Sequence, residues 1–313
     1  MATRERVLIT GSSGFIGSRL AHDLIADGHE VHLLLRDGSA TDRLAGLEGR
    51  FTVQRADLRD AAAVKRAVDA ARPEVVYHAA ASGTFHDRRD RAAILGSNLL
   101  GTANLLDALE SHHPRAMVNV GSSSEYGHKD GPMREDDRLE PRSDYAVAKA
   151  AATLLWQAEA YRGRPVVTVR IFSAYGPGED PNRLASYVMK CCLQGTPARV
   201  TTGDQPRDWV YADDVVALLR VAAEAPAARG QILHAGCGVR HTARDLVEAV
   251  VETCEGPVAE FGLAPARSDE PAVWTAEITR TRELTGWGPR YDLRAGVRRM
   301  WEWFSRRNAG RAA

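Results

Sequence analysis

Tyr145 and Lys149 stand four residues apart in Tyr145-Ala146-Val147-Ala148-Lys149, so on a helix a phenol and an ammonium share one face. A phenol ionises near pH ~10, too high for a base at neutral pH. A nearby ammonium favours the phenolate and turns it into a proton carrier. Upstream, the cluster Gly121-Ser122-Ser123-Ser124-Glu125-Tyr126-Gly127 supplies hydroxyls able to bond an alcohol or carbonyl under reaction. Near the start, Gly11-Ser12-Ser13-Gly14-Phe15-Ile16-Gly17 follows a strand-like run and opens a helical pattern. Gly11 permits the tight turn, Gly14 lets backbone approach a pyrophosphate, and Gly17 lets helix and strand pack closely. The helix start then turns N–H groups and positive partial charge toward phosphate, with Ser13, Phe15 and Ile16 in the cradle. A dinucleotide cradle plus a phenolic acid/base implies hydride transfer at a carbon bearing oxygen.

The elements that must position these groups alternate in type. Residues 7–10, 31–35, 51–54, 74–78, 116–121 and 166–171 read as short apolar strands. Helical patterns separate them, ending at Asp27 in the first case and spanning about 60–71, 94–110 and 143–161 in the others. Continuous apolar strands between amphipathic helices predict an α/β fold, a Rossmann-type doubly wound parallel sheet. After Tyr175-Gly176-Pro177-Gly178 the pattern changes: a helix near 184–193, a loop through 195–206, then 210–223 and 232–235 returning to the sheet. Helices follow near 242–252 and 293–304. The expected division is 1–171 plus about 208–239 for the nucleotide-binding domain, and about 172–207 with 240–307 for a smaller, discontinuous substrate lobe. Residues 308–313 end a short tail, from Arg306, expected to fray.

Cofactor choice rests on the end of the second strand, where NAD sites place an acid and NADP sites an arginine. Arg36 occupies that place and favours NADP(H); Asp37, next along, leaves NAD(H) open as the alternative. Asp57, after the third strand, could bond an adenine amino group or serve as a plain turn residue.

Composition excludes several classes. Lysine plus arginine and aspartate plus glutamate number 41 each, so no general charge favours nucleic acid or an anionic membrane. No 18-residue apolar stretch spans a bilayer, and no signal peptide precedes the first strand. The four cysteines lack metal spacing, and the ten histidines form no i, i+4 metal pair on an obvious helix, so no metal is expected. A soluble, cytoplasmic protein is the expectation.

The chain resembles the extended short-chain dehydrogenase/reductases, in the NAD-dependent epimerase/dehydratase family that modifies nucleotide-diphosphate sugars. Beyond the glycine turn, the likeness runs through Asp57-Leu58, Tyr77-His78-Ala79-Ala80-Ala81 and Asn98-Leu99-Leu100-Gly101-Thr102. It continues through Arg170 to Gly178 and through Arg207-Asp208-Trp209-Val210-Tyr211-Ala212-Asp213-Asp214. Gly236 and Gly286-Trp287 echo it too. The resemblance implies a catalytic triad of Ser123, Tyr145 and Lys149, with Ser122 the alternative when counting back from Tyr126. Leu58, Ala79, Ala80, Ala81 and Asn98 would join the cofactor site. Glu125 resembles the dehydratase base, and the short Ser-Glu-Tyr-Gly form also resembles 4-keto-6-deoxysugar reductases. His86, Ser173, Asn182, Arg183 and Arg207 would line the substrate site, Arg207 at the diphosphate. Tyr211 and Trp274 could stack on a base or fill core.

Implied reactions are 4-keto reduction or 4-epimerisation of a nucleotide-diphosphate hexose, with 4,6-dehydration through Glu125 as an alternative. From other classes come a non-catalytic NAD(P) sensor or scaffold and a reductase of a non-nucleotide ketone. The resemblance also implies a homodimer through helices near 94–110 and 143–161, where Leu99, Leu105, Leu106 and Leu109 offer apolar surface.

Overall fold

The computed structural model describes residues 4–83, 90–265 and 271–309. Six parallel strands, β1 (Arg6–Thr10), β2 (Glu30–Leu35), β3 (Thr52–Arg55), β4 (Val75–His78), β5 (Ala116–Ser122) and β6 (Val166–Ile171), pair with a seventh, Ile232–Ala235, in one sheet. The spatial order is Ile232–Ala235, β6, β5, β4, β1, β2, β3. Order reverses between β1 and β4, which opens the crevice where such sheets take a nucleotide.

Alternation of apolar runs is explained by burial on both faces. Helices Phe15–Ala26 and Ala212–Glu224 cover one face through Leu20, Leu24, Val215 and Leu219. Helices Ala61–Ala71, Gly101–Ala108 and Asp144–Tyr161 cover the other through Val64, Val68, Leu105, Leu109 and Trp156. Leu105, Leu106 and Leu109 are therefore spent on the sheet, while large apolar side chains left exposed on these helices and the adjoining Gly96–Leu100 turn include Leu100, Val147, Leu154 and Tyr161.

A second core joins helices Leu184–Leu193, Ala243–Cys254 and Leu293–Ala309 around Met189, Leu246, Val250 and Val297. Segment 210–223 differs from expectation. Trp209–Tyr211 pairs with Ser173–Tyr175 in a small separate sheet, and Ala212–Glu224 is the helix that carries the chain back to Ile232–Ala235. The last helix runs to Ala309, so the start of the expected frayed tail is helical. Tyr211 sits in the second core, in contact with the Tyr175 and Tyr291 rings. Trp274 packs at the edge of a small cluster with Tyr126, Met133 and Phe172. Core is thus their observed surrounding.

Candidate active site

Three strand ends build the site: β1 with the glycine turn, β4 with the Ala79–Ala81 segment, and β5 with the serine cluster. Gly11 has φ +70°, and a Cβ there would lie 2.5 Å from the Ala79 carbonyl carbon and the Ala80 nitrogen. A Cβ on Gly17 would strike the Gly11 carbonyl. Gly14 caps helix Phe15–Ala26 with no side chain bonding the free N–H groups. Ser12 Oγ is buried and unpartnered among the described residues. Open N–H groups at a helix start beside a crevice fit a dinucleotide pyrophosphate. Ile16 packs into the core, while the Ser13 carbonyl accepts from Arg43 Nη1 at 3.4 Å.

Asn98, expected in the cofactor site, is buried beside the loop after β4. It sits in a π-type turn, Gly96–Leu100, and its amide bonds both the N–H and the carbonyl of Ser82 at 2.8 Å. It therefore holds the loop after β4. Beneath that loop, Thr10 Oγ1 bonds His78 Nδ1 at 2.8 Å, and His78 Nε2 meets Thr102 Oγ1 at 3.0 Å. Burial pulls the His78 pKa down to about 3, so the ring is neutral.

At the adenosine end, Arg36 is exposed just beyond β2, and Arg55 Nη1 reaches the Arg36 carbonyl at 3.4 Å. Asp57 is already clamped. Arg59 reaches its two oxygens at 3.0 and 2.6 Å, and these bonds hold the carboxyl at about 2. Leu58 is buried, in contact range of Gly101.

Tyr145 and Lys149 lie on helix Asp144–Tyr161, capped by Ser143 Oγ at the Ala146 N–H, 3.1 Å. Both side chains reach the end of β5. Lys149 Nζ donates to the Val120 carbonyl at 2.5 Å, and the half-buried Tyr145 phenol comes under the influence of the Ser122 hydroxyl, whose Oγ also meets Ser124 Oγ at 2.8 Å. Burial raises the phenol pKa, opposed by the Ser122 bond; burial lowers the Lys149 ammonium, opposed by the Glu125 charge. The Arg183 charge also favours phenolate at Tyr145.

The hydroxyl facing the phenol is that of Ser122. Ser123, the residue reached by counting along the strand, is 4% exposed and lies inside the turn Ser123–Tyr126. Counting back from Tyr126 reaches Ser122 because β5 extends to Ser122 before the turn starts. Glu125, expected as a base for dehydration, lies beneath the turn. It is fully buried, with Oε1 accepting from the Ser122 N–H at 2.8 Å and Oε2 from Arg170 Nε at 2.8 Å. Both oxygens of this carboxylate are engaged by the protein. The capping-box spacing Ser-x-x-Glu was the sequence signal for this role.

On the substrate side, Ser173 is half-buried and donates its N–H to the Asp208 carbonyl. Asn182 and Arg183 are exposed at the head of helix Leu184–Leu193. Arg207 lies on a short strand paired with His241, its Nη1 on the Pro206 carbonyl at 2.7 Å. Asp208 is turned inward, accepting N–H groups of Cys237, Gly238 and Ala276. His86 lies outside the described residues. Sequence reasoning missed Glu179, a half-buried carboxyl pushed up to about 8 by desolvation and bonded by Ser186 Oγ at 3.5 Å. No spacing motif marks it. No cluster of His, Cys, Asp or Glu able to hold a metal occurs among the described residues, nor is any described helix long and apolar enough to cross a membrane.

Comparison with known proteins agrees with this geometry. A model of the NAD dependent epimerase/dehydratase family matches residues 7–236. A dTDP-glucose 4,6-dehydratase from Actinoplanes sp. is 30% identical, over 96% of this chain and 97% of that one. A UDP-glucose 4-epimerase from Mycolicibacterium smegmatis is 31% identical, over 96% and 98%. The crystal structure of the Thermus thermophilus UDP-glucose 4-epimerase in complex with NAD superposes with TM-score 0.86 at 28% identity, covering 96% of this chain and 99% of that one. With the glycine cradle, the Tyr145/Lys149 pair and full-length likeness in agreement, the chain belongs to the NAD-dependent epimerase/dehydratase family of short-chain dehydrogenase/reductase-type enzymes.

Proposed function

We propose that this enzyme acts at C4 of a nucleotide-diphosphate hexose, by 4-epimerisation through a keto sugar or by 4-keto reduction. The carrying observation is the convergence of Tyr145, Lys149 and Ser122 at the end of β5. Tyr145 Oη takes the proton of the C4 hydroxyl and gives it back. Ser122 Oγ shares that hydrogen bond and fixes its direction. Lys149 spends one of its three donors on Val120 and keeps the others for a ribose, while its charge favours phenolate. When bound, the nicotinamide supplies acceptance and return of a hydride at the sugar carbon.

The cradle suits a nicotinamide dinucleotide because the Gly11 and Gly17 positions exclude any Cβ and the helix N–H groups lack side-chain caps. Arg36, with Arg55 beside it, supports NADP(H) through a 2′-phosphate contact. Arg183, Asn182 and Arg207 are assigned to the nucleotide diphosphate, Arg183 because its charge already acts on Tyr145. Dehydration is named for several relatives, but the two bonds already on Glu125 weigh against it as the base here. An intact phenol, ammonium and hydroxyl set weighs against a sensor without turnover. Leu100, Val147 and Leu154, exposed on two neighbouring helices, support a homodimer built on that face. Four unpaired cysteines accord with a reducing, cytoplasmic location.

The test is incubation of freshly purified protein with UDP- and dTDP-hexoses, and with their 4-keto derivatives plus NADPH, followed by NMR of the sugar. Inversion or reduction at C4 is expected. A product altered elsewhere, or conversion of a ketone without a nucleotide alone, overturns the reading.

A further inference from the structure

The Ser122 hydroxyl sits on a turn whose underside is a buried ionic chain. Glu125 bridges the Ser122 N–H and Arg170 Nε, each at 2.8 Å, and the two charged residues are 0% and 1% exposed. Arg170 extends the chain. Its Nη1 donates to Tyr126 Oη at 2.5 Å and to the Glu135 carbonyl at 3.3 Å. The guanidinium also lies 4.4 Å from the centre of the Tyr126 ring.

Proton positions along this chain follow from its ends. His234 Nδ1 faces the Glu277 carbonyl at 2.8 Å, an acceptor without a proton, so Nδ1 carries the hydrogen. His234 Nε2 is then an acceptor, and Tyr126 Oη donates to it at 2.6 Å. Tyr126 in turn can accept from Arg170. Each of these donors meets an acceptor, and Glu125 is left with both oxygens committed.

Room for the pair is cut by a glycine. A Cβ on Gly121 would lie 2.9 Å from Glu125 Oε1 and 3.0 Å from Arg170 Cγ. A buried ion pair adds little net stability once desolvation is counted. What it can add is direction: Ser122 is the N-cap of the turn, and its N–H is pinned by the same carboxylate that Arg170 holds.

We propose that Glu125 and Arg170 are positioning residues for the Ser122 hydroxyl, fixing from beneath the turn that presents it to Tyr145. This rests on the role given to Ser122 and Tyr145 above. Tyr126 and His234 brace Arg170 from the sheet edge; none of the four touches substrate or cofactor in this role.

A double-mutant cycle separates positioning from other roles. The kcat, KM and cofactor Kd of Glu125→Gln, Ser122→Ala and the double variant are measured on the nucleotide-hexose reaction. Displacing a reacting group by a fraction of an ångström to an ångström lowers rate about ten- to hundredfold, and Glu125→Gln is expected to do this to kcat. KM and cofactor Kd should stay within about twofold, and in the Ser122→Ala background the same change should cost no more than about twofold. An undiminished kcat loss in that background means Glu125 acts independently, and overturns the proposal. So does a loss carried by KM or cofactor binding. Arg170→Lys, which keeps the charge but not the fork, serves if Glu125→Gln does not fold, with the same collapse expected beside Ser122→Ala. A wild-type kcat for Ser122→Ala alone would instead overturn the role of Ser122 itself.

Discussion

At the residue scale, the phenol of Tyr145 is held neutral by burial and released by charge. Desolvation raises its pKa, while Ser122 and Arg183 pull the other way. In the cofactor-free protein Tyr145 should therefore ionise above the ordinary phenol value of ~10, visible by ultraviolet difference titration against Tyr145→Phe. Oxidised cofactor adds positive charge and should lower it. The Arg36 guanidinium is exposed at the ribose end, so Arg36→Ala should weaken NADP(H) about tenfold or more and leave NAD(H) nearly unchanged in a calorimetric titration. Equal losses for both cofactors would return the ribose to Asp37. The glycines, Tyr145 and Lys149 were legible because each carries a local spacing rule. The bond that buries Glu125 was not legible, since it comes from Arg170, 45 residues later.

Elements place these residues through buried polar chains. His78 ties β1 to the helical segment at Thr102, and His234 ties its edge strand to Tyr126 and Glu277. Burial depresses both rings to about 3. A depressed pKa means the unfolded chain binds more protons below ~6.5, so stability present above that pH is lost as pH falls toward 3. Thermal melts should show the midpoint dropping through that window, and His78→Asn with His234→Asn should flatten the slope even though each variant starts less stable. An unchanged slope would mean that the rings are protonated inside. Strand and helix positions were readable from apolar periodicity. The short strand Trp209–Tyr211, the π-type turn at Asn98 and helix Thr279–Thr285 were not, because tertiary pairing rather than local pattern decides them.

The whole molecule presents two helices, 91–108 and Asp144–Tyr161, on the flank of the sheet. Leu100 is 60% and Leu154 61% exposed there, against 45% for Val147. Paired across a twofold axis, these side chains would leave water. Light scattering should report a dimer, and Leu154→Glu, with or without Val147→Glu, should give a folded monomer. A dimer that survives both changes puts the interface elsewhere. Leu105, Leu106 and Leu109, expected as apolar surface, are spent on the sheet, since i, i+3 and i+4 spacing does not say whether a stripe meets a sheet or a partner.

Proton exchange at the Tyr145 oxygen is coupled, in the proposed reaction, to hydride transfer at the sugar carbon, which the enzyme can run from the hydroxyl side in either case. Rapid mixing of cofactor-loaded protein with a nucleotide-diphosphate hexose, followed at the absorbance of reduced nicotinamide, tests it directly. Wild-type protein should show that absorbance rise, and Tyr145→Phe should lose it by about 10²–10⁴ in rate while binding cofactor and sugar as before. A Tyr145→Phe variant that reduces the nicotinamide as fast as wild type would contradict the account.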